Sequence, residues 1–280
     1  MKFIRYLPFD FRRGILRNKV LLFTPVVIAA VVFLDFTFKA HRYLTDGVMN
    51  GSVSYGDYWF YLCGGMHEYI ASAGNAFRFP VVWIVVFLVI PFLLLNYPFQ
   101  DMYGMGQQIL VRAGKRTSWW LSKCCWNFFG TMLYHLIIQM TGVVLALFFQ
   151  IKISRQINMD FINLAFDVGH SEILSPSVLP LSVLILPVLV SAAINMLQLT
   201  LSLLIRPIFS FFAVAVLFLL SAYRLSPFLI GNYAMAFRYD WMLKKGVSLS
   251  AGYAIAAVLL FLSVLCGLVR FRFYDILEKE

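Results

Sequence analysis

The chain has 280 residues, 61% of them hydrophobic and 13% charged, with a mean hydropathy of +0.82 and a formal charge of +10. Soluble globular domains do not reach this balance, which leaves an all-α polytopic membrane protein. Its basic residues flank apolar runs and form no nucleic-acid module, so membrane lipid is their expected partner and nucleic acid is not.

Residues 1–19 carry Phe3, Leu7, Phe11 and Ile15 at near-helical spacing, interleaved with Lys2, Arg5, Arg12, Arg13, Arg17 and Lys19. That pattern predicts an interfacial amphipathic helix, broken at Pro8 and restarted with Asp10 as cap. A plain positive flank for the first span is the alternative. A cleaved signal peptide is disfavoured, because no small-x-small site follows the apolar run. Span 1 covers 20–38 and reaches the roughly 20 residues a bilayer requires only if Asp35 sits at the far interface. The loop 39–78 holds an aromatic block, Tyr55, Tyr58, Trp59, Phe60 and Tyr61, expected to lie against headgroups. Span 2 covers 79–99, with a kink expected at Pro91.

Gln100–Lys123 is the polar interruption around which the rest is arranged. Asp101 is placed to cap a short helix over 102–113, with Met102, Met105 and Ile109 on one side and Gln107, Gln108 and Arg112 exposed. Gly114 stops it, Lys115 and Arg116 meet headgroups, and Trp119 and Trp120 belong at the interface. A turn would suffice to join two spans, so a helix here suggests a docking surface for another protein.

Span 3 covers 117–151, longer than the hydrocarbon core, and is expected to tilt or project. After a polar loop, span 4 (178–205) meets span 5 (208–223) through little more than Arg206 and Pro207, an antiparallel hairpin. Residues 224–246 are too apolar for a free loop and too interrupted for a span; a re-entrant or interface-bound helical pair is expected. Span 6 covers 247–269, with Gly252 and Ala256 as a small packing face. With six spans, the side holding both termini carries 14 Lys and Arg against 9 on the other. Both termini are therefore expected to be cytoplasmic.

Two motif-like strings fail. AGKRTS (113–118) lacks the phosphate-loop glycine, with Ile109 in its place, and has Arg116 where Ser or Thr must follow Lys115. His67-Glu68 would open a zinc-protease helix only with histidine at 71, which is Ala. Cys63, Cys124, Cys125 and Cys266 have no paired spacing, so neither disulfides nor a metal site is expected. Within the spans, His135 and Gln139, and Asn195 and Gln198, each share a helical face and either line a translocation path or hydrogen-bond helices together. No ionisable side chain other than His135 is placed at mid-span. That counts against an ion-coupled carrier, and the unequal connections between spans 2–3 and 4–5 count against an inverted repeat.

The layout resembles the permease subunit of type-2 ATP-binding-cassette exporters over the whole chain, most specifically in RAGKRTSWWLSK (112–123), the basic, aromatic turn into span 3. The resemblance implies an N-terminal connecting helix over 2–17, a coupling helix over 101–112 and re-entrant helices over 225–245. Asp101, Met105, Gln107, Gln108 and Arg112 would be ATPase-coupling residues. It also implies a cytoplasmic nucleotide-binding ATPase partner that carries ATP and Mg, with no cofactor in this chain and no catalysis by it. A second permease subunit, identical or similar, would complete a multi-pass assembly in a bacterial plasma membrane that exports a peptide, lipid or drug-like substrate. The first outer loop, about 40 residues, exceeds the family's minimal form. A stand-alone channel or carrier, a membrane-embedded enzyme, or a non-transporting sensor or immunity subunit are the competing classes.

Overall fold

In a computed structural model, residues 3–69, 77–104, 116–167 and 173–274 are described. Among them the chain is helical, with four isolated β-bridges at one end. Five helical runs are long and apolar enough to cross a membrane: Lys19–Thr45 (α2), Val81–Met102, Arg116–Phe148 (α6), Leu181–Leu201 (α8) and Leu249–Arg272 (α10). The second comprises α4 (Val81–Leu94) and α5 (Tyr97–Met102). A shorter apolar helix, α9 (Pro207–Tyr223), is 17 residues or about 25 Å long. The predicted membrane class holds; of the six expected spans, five meet that length.

The N-terminal segment is helical over Phe3–Asp10 (α1) and continues as a π-helical turn over Phe11–Leu16. Pro8 lies inside α1 without breaking it, and Asp10 makes no capping bond. Its carboxylate has a stronger use, described below. Asn18 instead caps α2, accepting from Leu21 N at 3.2 Å. Helix α2 runs seven residues past the expected end at Phe38, because Asp35 is tied down within it. Lys39 bonds Asp35 at 3.1 Å, and the Tyr61 hydroxyl donates to the same carboxylate.

The aromatic block is not a headgroup belt. It forms α3 (Tyr55–Cys63), opened by a reciprocal Ser54/Asp57 capping box, and Gly56–Cys63 are all buried. Rings from distant segments cover it: Phe161 and Phe166 of α7 (Met159–Phe166), and Phe237. Asp57 also accepts from Asn158 N at 2.6 Å. Burial pushes its carboxyl up to about 6, against the pull of the Asn158 and Ser54 N–H groups. These elements close one end of the bundle, termed apical here.

Over 224–246 the expected helical pair is absent. Two 3-10 turns, Ile230–Ala234 and Ala236–Arg238, stand in its place, every residue buried. The stretch is tied down by Arg238, whose guanidinium donates to the carbonyls of Met66 and Ala222 on neighbouring segments. At the opposite, basal end, Trp119 and Trp120 are buried against protein, with Trp119 stacked on Phe271 at 4.7 Å.

Helix α10 buries Gly252, Ala256, Ser263, Gly267 and Phe271 against α8 and, toward its C-terminal end, the Trp119 and Trp120 rings of α6, so the small face anticipated at Gly252 and Ala256 extends along the helix. Gly252 lies against Leu186 and Tyr233, and Gly267 against the Trp120 ring. A Cβ at Gly267 would overlap that ring, which is itself held by a Trp120 Nε1 bond to the Val264 carbonyl at 3.0 Å. Gly267→Val is therefore expected to destabilise by about 1–3 kcal/mol through overpacking. A melting temperature in detergent equal to that of the parent would contradict the close approach.

Candidate functional site

The most heavily built polar cluster joins the N-terminal helix to the basal ends of two long helices. Lys123 stands two turns inside α6 with its side chain 1% exposed. Its ammonium pairs with Asp10 of α1 and, at 2.7 Å, with Asp101 Oδ2 of α5. Tyr97 OH and Ser122 Oγ donate to Asp10 at 2.8 and 2.6 Å, and Trp119 Nε1 donates to Asp101 at 3.3 Å. The ammonium also lies over the Tyr97 and Trp119 rings, at 4.6 and 5.0 Å from their centroids. Two carboxylates on one ammonium leave a net charge of −1, and Asp101 Oδ1 has no partner among the described residues.

The backbone geometry around this cluster is tight. Gly14, in the π-helical turn, faces Tyr97 and Trp126 so closely that a Cβ would collide with both rings. The N-terminal segment is thus seated in a groove between α5 and α6, held by an ion pair at one point and by ring packing at another. Mechanically, the first 16 residues, the end of α5 and the start of α6 form one unit.

Asp101 was expected to begin a surface helix; it ends a membrane-crossing run instead, because Lys123 offers its carboxylate a buried countercharge that capping does not. Met105, Gln107, Gln108 and Arg112, the other coupling residues of the sequence reading, lie outside the described residues. His135, Gln139, Asn195 and Gln198 all fall on packed helical faces. Gln139 Oε1 accepts from Tyr55 OH at 2.6 Å, Asn195 Nδ2 donates to Thr131 Oγ1 at 2.9 Å, and Gln198 Nε2 donates to the Pro91 carbonyl at 2.9 Å. His135 is buried between Phe87 and Tyr134, its Nε2 without a described partner.

His135 and Gln139 belong to a longer pattern along α6. Lys123, Asn127, Thr131, His135 and Gln139 recur at every fourth position of α6, a ridge about 24 Å long that faces α4, α8 and α3. The i, i+4 spacing was visible in the sequence. Lys123 was counted only as a basic flank, and its role depends on carboxylates 113 and 22 positions away.

The profile of a family described as a protein of unknown function (DUF2705) matches residues 26–277. The chain belongs to that family. No curated protein and no solved structure matches it. Within this DUF2705 chain the match includes Asp101, Lys123 and the whole polar ridge, while α1 and Asp10 precede it.

Proposed function

We propose that this chain is the permease subunit of an ATP-driven transporter, powered by a separate cytoplasmic ATPase. The observation that carries the reading is the Asp10–Lys123–Asp101 cluster. A motor acting on the inner face needs a rigid lever into the membrane, and the cluster joins the N-terminal helix to two membrane-crossing helices at one buried point. Six crossings, with α9 as the shortest, return the C-terminus to the side of the N-terminus. The excess of Lys and Arg at that end supports a cytoplasmic location for it.

The packed ridge favours a route between two subunits over one through a single subunit, since interhelical hydrogen bonds occupy it. An identical or similar second permease would supply the other wall. The cargo would be amphipathic or hydrophobic, and alternating access would follow from ATP-driven movement of the lever.

Affinity purification of the tagged chain from its native membrane is expected to bring down a soluble ATPase. Arg112→Glu, which reverses a charge on the connection between spans 2 and 3, is expected to lower the amount recovered at least several-fold while insertion stays normal. Recovery of no ATPase with the parent chain, or equal recovery with Arg112→Glu, would remove the coupling assignment. Transport by the purified chain without a motor would do the same for the whole reading.

A further inference from the structure

Where the α6 ridge meets α8, three side-chain oxygens have no donor among the described residues. Asn127 Oδ1, Asn195 Oδ1 and Gln198 Oε1 have no hydrogen-bond partner among the described residues, although each residue is at least 96% buried. All three residues line one cavity of about 10 Å³, together with Pro91 and Ser202. One donated bond from each NH₂ group sets the orientation of the three amides. Gln198 Nε2 donates to the Pro91 carbonyl and Asn195 Nδ2 to Thr131 Oγ1, whose own proton goes to the Asn127 carbonyl. Asn127 Nδ2 donates, at 3.4 Å, to the Asn195 carbonyl. Three acceptors without a donor in a buried site are costly unless something shared meets them.

The volume admits one atom-sized occupant. A water molecule has two protons and leaves one oxygen unmet, whereas a cation satisfies all three. Charge points the same way. Asn127 is one turn, about 6 Å, from Lys123, whose cluster carries two carboxylates for one ammonium. Neutral amide oxygens suit an alkali cation, while Ca²⁺ and Mg²⁺ recruit carboxylates.

We propose that Asn127, Asn195 and Gln198 bind a single small monovalent alkali cation between α4, α6 and α8, one turn from the buried Asp10–Lys123–Asp101 cluster, whose second carboxylate it offsets. The site does not depend on the transporter reading. The test is thermal unfolding of the purified full chain in detergent, in NaCl and in choline chloride at equal ionic strength. Sodium is expected to raise the melting temperature saturably, by roughly 5 °C at high occupancy. Asn127→Asp, which sacrifices only the longest amide bond, is expected to lower the half-saturating sodium concentration about tenfold. Asn127→Leu should abolish the sodium dependence, and Gln198→Met should do so if the leucine variant does not fold. Equal melting of the parent in the two salts, or a loss with Asn127→Asp that is the same in both, would overturn the cation and leave a bound water as the occupant.

Discussion

Lys123→Met is expected to destabilise the chain by about 3–5 kcal/mol, on the order of 10 °C in melting temperature. The substitution preserves most of the side-chain volume, so the effect is electrostatic. It leaves the Asp10 and Asp101 carboxylates buried side by side, 2% and 5% exposed, with no countercharge. At 2.7 Å and an effective dielectric of about 20, one ion pair is worth about 6 kcal/mol of attraction, against a desolvation cost of several kcal/mol per ion. The intact cluster is therefore close to break-even, and its loss is felt only when one sign is removed. Accordingly, combining Lys123→Met with Asp10→Asn and Asp101→Asn is expected to recover stability to within about 2 kcal/mol of the parent. Limited proteolysis gives an independent reading, because the single variant should release the N-terminal helix and expose cleavage after Arg12 and Arg13. If the single variant melts like the parent and resists protease, the cluster is not what seats that helix.

Replacing Arg238 is expected to cost a similar amount at the other end. Its guanidinium donates to the carbonyls of Met66 at 3.0 Å, Ala222 at 2.6 Å, His67 at 3.2 Å and Arg224 at 3.3 Å, and also to Ser221 O and Asn232 Oδ1. Three of these carbonyls belong to the last turn of α9 and the residue that caps it, where the negative end of the helix dipole adds attraction. Burial draws the guanidinium down to about 10, so it remains charged at neutral pH. Arg238→Leu leaves several buried acceptors unmet at about 1–3 kcal/mol each, partly relieved where water can enter, for a net loss of about 3–5 kcal/mol. Arg238→Lys should recover little, because a compact ammonium cannot reproduce a planar fork that spans segments 66–67, 221–224 and 232. Full stability of the lysine variant would show that charge alone, and not the fork, organises this region.

The two clusters illustrate which signals were legible in the chain. Hydropathy located the crossing helices, and the observed bounds depart from expectation by at most four residues at most ends; α2 is extended by seven. Hydropathy could not say where the aromatic block would go. Tyr55–Cys63 has the composition of an interfacial belt, and the structure makes it a buried helix opened by the Ser54/Asp57 capping box. Burial came from Phe161, Phe166 and Phe237, about 100 to 180 positions away. Asp10 and Asp101 were likewise read as local caps. Capping competes with ion pairing for a carboxylate, and the winner depends on whether a distant ammonium is brought within reach.

Membership of the membrane class, the placement of the long apolar helices and the small-residue face of α10 followed from the sequence by itself. Each rests on short-range regularities: about 20 apolar residues to cross a bilayer, and a repeat of three or four residues to mark a helical face. Tertiary structure alone decided that Lys123 is buried between two carboxylates, that Arg238 organises the apical turns and that three amide oxygens share one cavity. These are meetings of groups far apart in the chain, and a side chain carries no local record of the partner that will desolvate it.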